Sequence, residues 1–321
     1  MSLEEFSRKE KLVMKEHRVP SEDGYPIPVW EVFDENEVSK NCPTIVYAHG
    51  GGFIKRPINM KDAMLDRFRI KQLGKGFLAK SGFTVFYVSY RLAQEKPFPA
   101  PANDVYAAYV WAITNASDLG IDKNRVGFMG CSAGGNLALH ATLRARDDGI
   151  PPCGGMYVYP MTDPDTNWEN PKVEKKQDKK EKDKKETLKE KLKENLKVLG
   201  EKLTGEKRFL RSGWEQYHKG VDSLPEEQRK YAKLLLADFS GLPRTYVDVG
   251  TEDFFCKEDK QLMEKLAADG VSLTTKVWEG VPHAFEGKPN PTPEESKAER
   301  EALQLRYDWW QTTFQPVGAS A

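Results

Sequence analysis

Short runs rich in β-branched and aromatic residues recur along the chain, and apolar residues crowd both faces of the middle ones. They are IPVWEVF from Ile27, TIVYAHG from Thr44, FTVFYVSY from Phe83, RVGFMG from Arg125, GMYVYP from Gly155, TYVDVG from Thr245 and LTTKVWEG from Leu273. Such runs suit strands covered on both sides, as in a mostly parallel sheet. Helical periodicity fills the intervals: Lys61 to Lys80, Asp104 to Ala116, Ala133 to Asp147, Glu258 to Ala268, and Glu294 to Phe314 with Leu303, Leu305, Trp309 and Trp310 as apolar anchors. The alternation predicts a doubly wound α/β sheet, whose chemistry gathers in loops beyond the carboxyl ends of the strands.

One segment breaks the rhythm. Lys172 to Arg208 holds 15 Lys or Arg against 9 Asp or Glu, and Leu188, Leu192, Leu196, Leu199 and Leu203 would form a narrow stripe on one helix face. The stripe is too narrow for deep lipid insertion, so a solvated extension is expected.

Over the whole chain the charges balance, 49 basic against 49 acidic residues in 321, which gives no basic excess for nucleic acid. Cys42, Cys131, Cys153 and Cys256 lie far apart without a CxxC pair, which argues against a zinc site or a disulfide framework. The first residues lack the apolar core of a signal peptide, and no later window approaches a membrane-spanning run. A cytoplasmic protein with no stable membrane insertion is expected; a homodimer is compatible with the sequence.

The chemistry concentrates in four places. Gly130, Ser132 and Gly134 fit G-x-S-x-G between a strand and a helix, where a strained turn exposes the serine hydroxyl. A helix beginning there also aims backbone N–H groups and a positive dipole end at the reacting centre. Upstream, His49, Gly50, Gly51, Gly52 and Phe53 follow the strand from Thr44. Consecutive glycines let N–H groups turn inward, so Gly51 and Gly52, joined by Ala133, are the candidate oxyanion donors. The loop lacks the Lys-Ser/Thr of a phosphate-binding P-loop.

A serine nucleophile needs a base, and the base an orienting acid. Of five histidines, His17 precedes the first expected strand, His49 suits a bond within its own loop, and His140 lies inside the helix after Ser132. His283 follows the last strand and a Gly-Val-Pro turn, placed to reach Ser132. Asp253 is the preferred acid, Glu252 the alternative, and Asp248 is read as lying within the strand. The order Ser, acid, His is that of α/β hydrolases.

The motifs HGGGF, YRLAQEKPFPAPANDVYAA, GCSAGGNLAL, YPMTDPD, SGLPRTYVDVGTEDFF and VPHAF resemble, in order, those of the hormone-sensitive-lipase-like family of α/β hydrolases, the HGGG esterases. The resemblance covers roughly Pro26 to Phe314 apart from the charged insertion. It implies an α/β-hydrolase fold with an eight-stranded, mostly parallel sheet, helices on both faces and a helical cap. It further implies hydrolysis of small-molecule carboxylic esters without metal or cofactor, with Ser132, Asp253 and His283 catalytic and Gly51, Gly52 and Ala133 as oxyanion hole. The division expected is an N-terminal cap segment 1–25, core 26–165, cap insertion 166–240 and core 241–321. Phe53, Trp168, Trp214, Tyr217 and His218 are candidate substrate contacts, with packing of the cap onto the core as their alternative role. Three departures stand out: Cys131 where the family commonly has Asp, Glu or Thr, the bulky continuation FIKRPINM after the glycines, and the stretched cap. Hydrolysis of another acyl bond, and ligand binding without catalysis, are the rival functions.

Overall fold

The computed structural model describes residues 12–56, 82–165, 205–286 and 290–315. The expected helix from Lys61 to Lys80, Trp168 and the leucine stripe from Leu188 to Leu203 lie outside them.

Eight strands form one sheet: β1 (Leu12–Pro20), β2 (Pro26–Asp34), β3 (Cys42–Ala48), β4 (Thr84–Val88), β5 (Ile121–Cys131), β6 (Gly155–Val158), β7 (Thr245–Gly250) and β8 (Leu273–Trp278). Their order across the sheet is β1-β2-β4-β3-β5-β6-β7-β8. The pairs β1–β2 and β2–β4 are antiparallel, and all the others are parallel. Every residue of β4, β6 and β7 is buried, as their unbroken apolar runs require of strands covered on both faces.

The longer helices are α1 (Ala100–Thr114), α2 (Ala133–Asp147), α3 (205–217), α4 (Cys256–Ala268) and α5 (Pro293–Thr313). In α2, Ala133 through Leu143 are all buried, because this helix runs through the interior, against β3, β5 and β6. Helix α5 opens with a capping box: the Thr292 hydroxyl accepts from the Glu295 N–H, and the Glu295 carboxylate accepts from the Thr292 N–H. It buries Ala298, Ala302, Arg306, Trp309 and Trp310, whereas Leu303 and Leu305 are only half-buried.

One expectation is corrected. Residues 12–20, inside the segment 1–25 expected to belong to a cap, form β1 at the sheet edge. Only Leu12 and Val19 of the strand are buried, and its exposed residues include Glu16 and Lys15, so charge at an edge hides the alternation that marks a strand. His17 therefore sits within the sheet, its Nε2 2.9 Å from Glu31 Oε2 and its ring 4.8 Å from that of Trp111. No helix among the described residues is long and apolar enough to cross a membrane.

The strand order fixes where a site can form. From β3 the chain moves to one side for β4 and to the other for β5, so the order reverses between β3 and β5. The loops leaving these two neighbouring strands flank a crevice at their carboxyl ends, the usual ligand position in an open α/β sheet. The glycine loop follows β3, and Ser132 follows β5.

Candidate active site

Ser132 lies between β5 and α2 with φ 55° and ψ −125°. A non-glycine residue there is held in a sparsely populated conformation, at a cost of order 1–3 kcal/mol. Its neighbours hold it: the Ser132 N–H donates to Val158 O at 3.0 Å, and its carbonyl accepts from Met161 N–H at 3.1 Å. The flanking glycines are sterically required. A Cβ at Gly130 would lie 2.1 Å from Gly134 O, and one at Gly134 would lie 2.1 Å from Ala48 O. The elbow and the end of β3 thus touch backbone to backbone.

The structure brings the three distant candidate side chains into one line. His283 Nε2 is 3.1 Å from Ser132 Oγ, and His283 Nδ1 is 2.8 Å from Asp253 Oδ2. Ser132 and Asp253 are buried, while the His283 side chain keeps 19% of its surface exposed. Asp253 is itself oriented, its Oδ1 accepting the Phe255 N–H at 2.9 Å. Glu252, the alternative acid, is exposed, and Asp248 is buried within β7. The imidazole is flanked by two rings in edge-to-face geometry, Tyr159 at 4.7 Å and Phe255 at 4.9 Å.

Gly51 and Gly52 adopt φ 124° and 58° as the loop after β3 turns, and Gly51 O accepts from the N–H groups of Ile54 and Lys55. Among the described residues, the backbone N–H groups of Gly51, Gly52 and Ala133 have no acceptor. His49 Nδ1 is 2.7 Å from Gly50 O, and its ring stacks on Tyr90 at 4.2 Å, as expected of a histidine serving its own loop. Burial pushes the His140 imidazole down to about 3, so it remains neutral inside α2.

Of the candidate substrate contacts, Phe53, Trp214 and Tyr217 are buried against one another. The Phe53 ring stacks on Tyr217 at 4.1 Å and lies 5.0 Å from Trp214, which in turn is 4.9 Å from the His218 ring. Phe98 N–H donates to Tyr217 O at 2.8 Å. Helix α3 is thereby seated on the glycine loop; a Cβ at Gly52 would lie 2.9 Å from Phe209 Cε1. Cys131 is buried, with its thiol 2.9 Å from the Tyr47 hydroxyl, so this departure keeps a polar contact beside the elbow.

Several groups at the site are not evident from the motifs. Glu286, three residues after His283, accepts from Tyr159 OH at 2.9 Å and from Arg306 Nη1 at 2.5 Å, and Arg306 also donates to both carboxylate oxygens of Asp248. The repeated inward position of Ala298, Ala302 and Arg306 on α5 was the available signal, but a charged residue does not read as core.

Asp259, in the first turn of α4, is fully buried, and neither carboxyl oxygen has a partner among the described residues. Burial, reinforced by the charges of Glu258 and Asp253, holds this carboxyl well above the usual range. Above about pH 4 the unfolded chain has released a proton that the folded chain retains, so stability falls as pH rises. Asp259→Leu removes that dependence together with the unpartnered group. It is expected to stabilise the fold by about 2 kcal/mol at pH 8 and by less at pH 4.5 in urea titrations. An equal gain at both values would contradict this account.

Residues 45–287 match the model of a family described by the α/β-hydrolase fold. A carboxylesterase of Mycobacterium tuberculosis is 38% identical over 138 residues, which are 43% of this chain and 40% of that protein. The hormone-sensitive lipase of Mus musculus is 34% identical over 128 residues, 40% of this chain and 16% of that one. The chain thus spans less than half the length of these curated relatives. Among solved structures, a bacterial heroin esterase superposes with a TM-score of 0.71 at 24% identity, over 95% of this chain and 86% of that one, a likeness of fold.

Proposed function

Because the chain belongs to the α/β-hydrolase family, in its hormone-sensitive-lipase-like branch, we propose that it is a serine hydrolase of carboxylic esters with short to medium acyl chains. The observation that carries this reading is the 3.1 Å approach of His283 Nε2 to Ser132 Oγ at a strained elbow.

In this mechanism His283 Nε2 takes the proton from Ser132 Oγ as the oxygen attacks the ester carbonyl. Charge then develops on the carbonyl oxygen. The N–H groups of Gly51, Gly52 and Ala133 stabilise that charge more than they stabilise the ground state, which is the condition for acceleration. His283 next protonates the departing alcohol, and a water molecule, deprotonated by the same nitrogen, releases the acid from Ser132. Asp253 fixes the tautomer whose free nitrogen faces Ser132 and stabilises the imidazolium. No step calls for a metal or cofactor.

The cap of the proposal is the segment 166–240, over core parts 26–165 and 241–321. Phe53 of the core and Trp214 and Tyr217 of the cap support the site chiefly as a packed aromatic block. Trp168 and His218 remain proposed substrate contacts, and a cytoplasmic location is part of the same proposal.

The test is a panel of p-nitrophenyl esters of graded acyl length, run beside aryl formamides and lactones on the purified protein. The expected result is the highest kcat/KM on a short or medium ester. Higher kcat/KM on a formamide or lactone would reassign the acyl bond. Binding without turnover of any of them would reassign the protein as a receptor.

A further inference from the structure

Four separate elements converge behind His283. Asp248 comes from β7, Arg306 from α5, Glu286 from the loop carrying His283, and Tyr159 from the turn after β6. All four are buried. Arg306 Nε donates to Asp248 Oδ2 at 2.9 Å and Nη2 to Oδ1 at 3.0 Å, while Nη1 donates to Glu286 Oε1. Tyr159 OH donates to Glu286 Oε2 at 2.9 Å, and the Tyr159 N–H donates to Asp248 O at 2.7 Å. The circuit therefore closes on itself.

Tyr159 has two further connections. Its neighbours Val158 and Met161 bond the backbone N–H and carbonyl of Ser132. Its ring lies edge-to-face on the His283 imidazole. Tyr159 and Ala284, at φ 36° and 52°, are both non-glycine residues on the left-handed side, so the turn and the loop that meet here each need restraint from outside. A buried guanidinium held by carboxylates on two elements, with every bond charge-assisted, is suited to supply that restraint.

We propose that Tyr159 is a positioning residue for His283. Its ring sets the plane of the imidazole, and its hydroxyl, through Glu286 and Arg306, fixes the loop bearing the base at the distance required by the elbow bearing Ser132. This inference rests on the Ser132–His283 reading above. Geometry of this kind acts on the chemical step, because a small misplacement of a proton acceptor is costly even when binding is unaffected.

Tyr159→Phe tests it, since the ring stays and only the hydroxyl is lost. With active sites counted by titration with an organophosphonate, kcat on a p-nitrophenyl ester is expected to fall about 10-fold while KM changes less than 2-fold. Glu286→Gln added to Tyr159→Phe should cost less than Glu286→Gln alone, because both cut one link. Tyr159→Leu, which also removes the ring, should fall about 100-fold. Two results would overturn the proposal: Tyr159→Phe keeping kcat per titrated site within 2-fold of the parent, or a loss accounted for by fewer titratable sites with kcat per site unchanged. Ser132→Ala is run alongside. Full turnover in that variant would refute the underlying hydrolase reading, an outcome separate from the other two.

Discussion

Ser132→Ala and His283→Ala are each expected to lower kcat on a p-nitrophenyl ester by roughly 10⁴-fold or more, and the double variant should be little worse than the poorer single. In the proposed mechanism the hydroxyl and imidazole act as one unit across the 3.1 Å contact: an alcohol without its base is a weak nucleophile, and a base without its alcohol has nothing to activate. What survives should come from the N–H groups of Gly51, Gly52 and Ala133, which neither substitution alters. Stability should change little, because Ser132→Ala deletes one oxygen from a site held by its backbone bonds to Val158 and Met161. Steady-state kinetics on preparations shown free of host esterase decide the matter. Near-parental turnover in Ser132→Ala would remove the serine from the mechanism, and additive losses in the double variant would separate the two groups.

Gly134→Ala is expected to damage both the stability and the activity of the protein. The added carbon would lie 2.1 Å from Ala48 O and 2.4 Å from His49 O, and both are main-chain atoms that cannot rotate away. Alanine is the better helix former, and here that preference, worth about 1 kcal/mol, is overridden by overlap. Either α2 or the end of β3 must move, and the second carries the glycine loop. The expected cost is about 3 kcal/mol or more, read as a Tm lower by about 5 °C or more. The kcat should fall as well, since donors and nucleophile are pushed apart. Thermal melts and kinetics on the same sample test both parts; an unchanged Tm would mean that the elbow and β3 are not in contact.

The fold was legible where its grammar is local. Buried parallel strands have to be apolar on both faces, so β3 to β7 announce themselves, and the glycines around Ser132 are there because no side chain fits. Ser132, Asp253 and His283 could be chosen because a strand end followed by a short loop is where such a sheet keeps its chemistry. What escaped was set by tertiary context. β1 shows a half-solvated edge rich in charge, whose alternation carries little contrast. Arg306 and Glu286 are ordinary charged residues until the fold buries them against each other, and nothing in a linear pattern pairs positions twenty residues apart on different elements. Phe53, Trp214 and Tyr217 were read as candidate substrate contacts with packing as their alternative role, and their mutual stacking depends on where α3 lands.

The strand order is also a schedule of synthesis. Ser132 leaves the ribosome with β5, while Asp253 and His283 follow only after β7 and β8, beyond the whole segment separating β6 from β7. Domains form from the amino-terminal side as the chain emerges. A nascent chain ending before β7 can therefore hold an elbow with its serine, yet it has neither the imidazole to accept a proton nor the carboxylate to orient it. Its growing sheet would meanwhile stop at β6, a strand meant for the interior and momentarily an unprotected edge. The last strands to be made thus close that edge and complete the proposed catalytic machinery together.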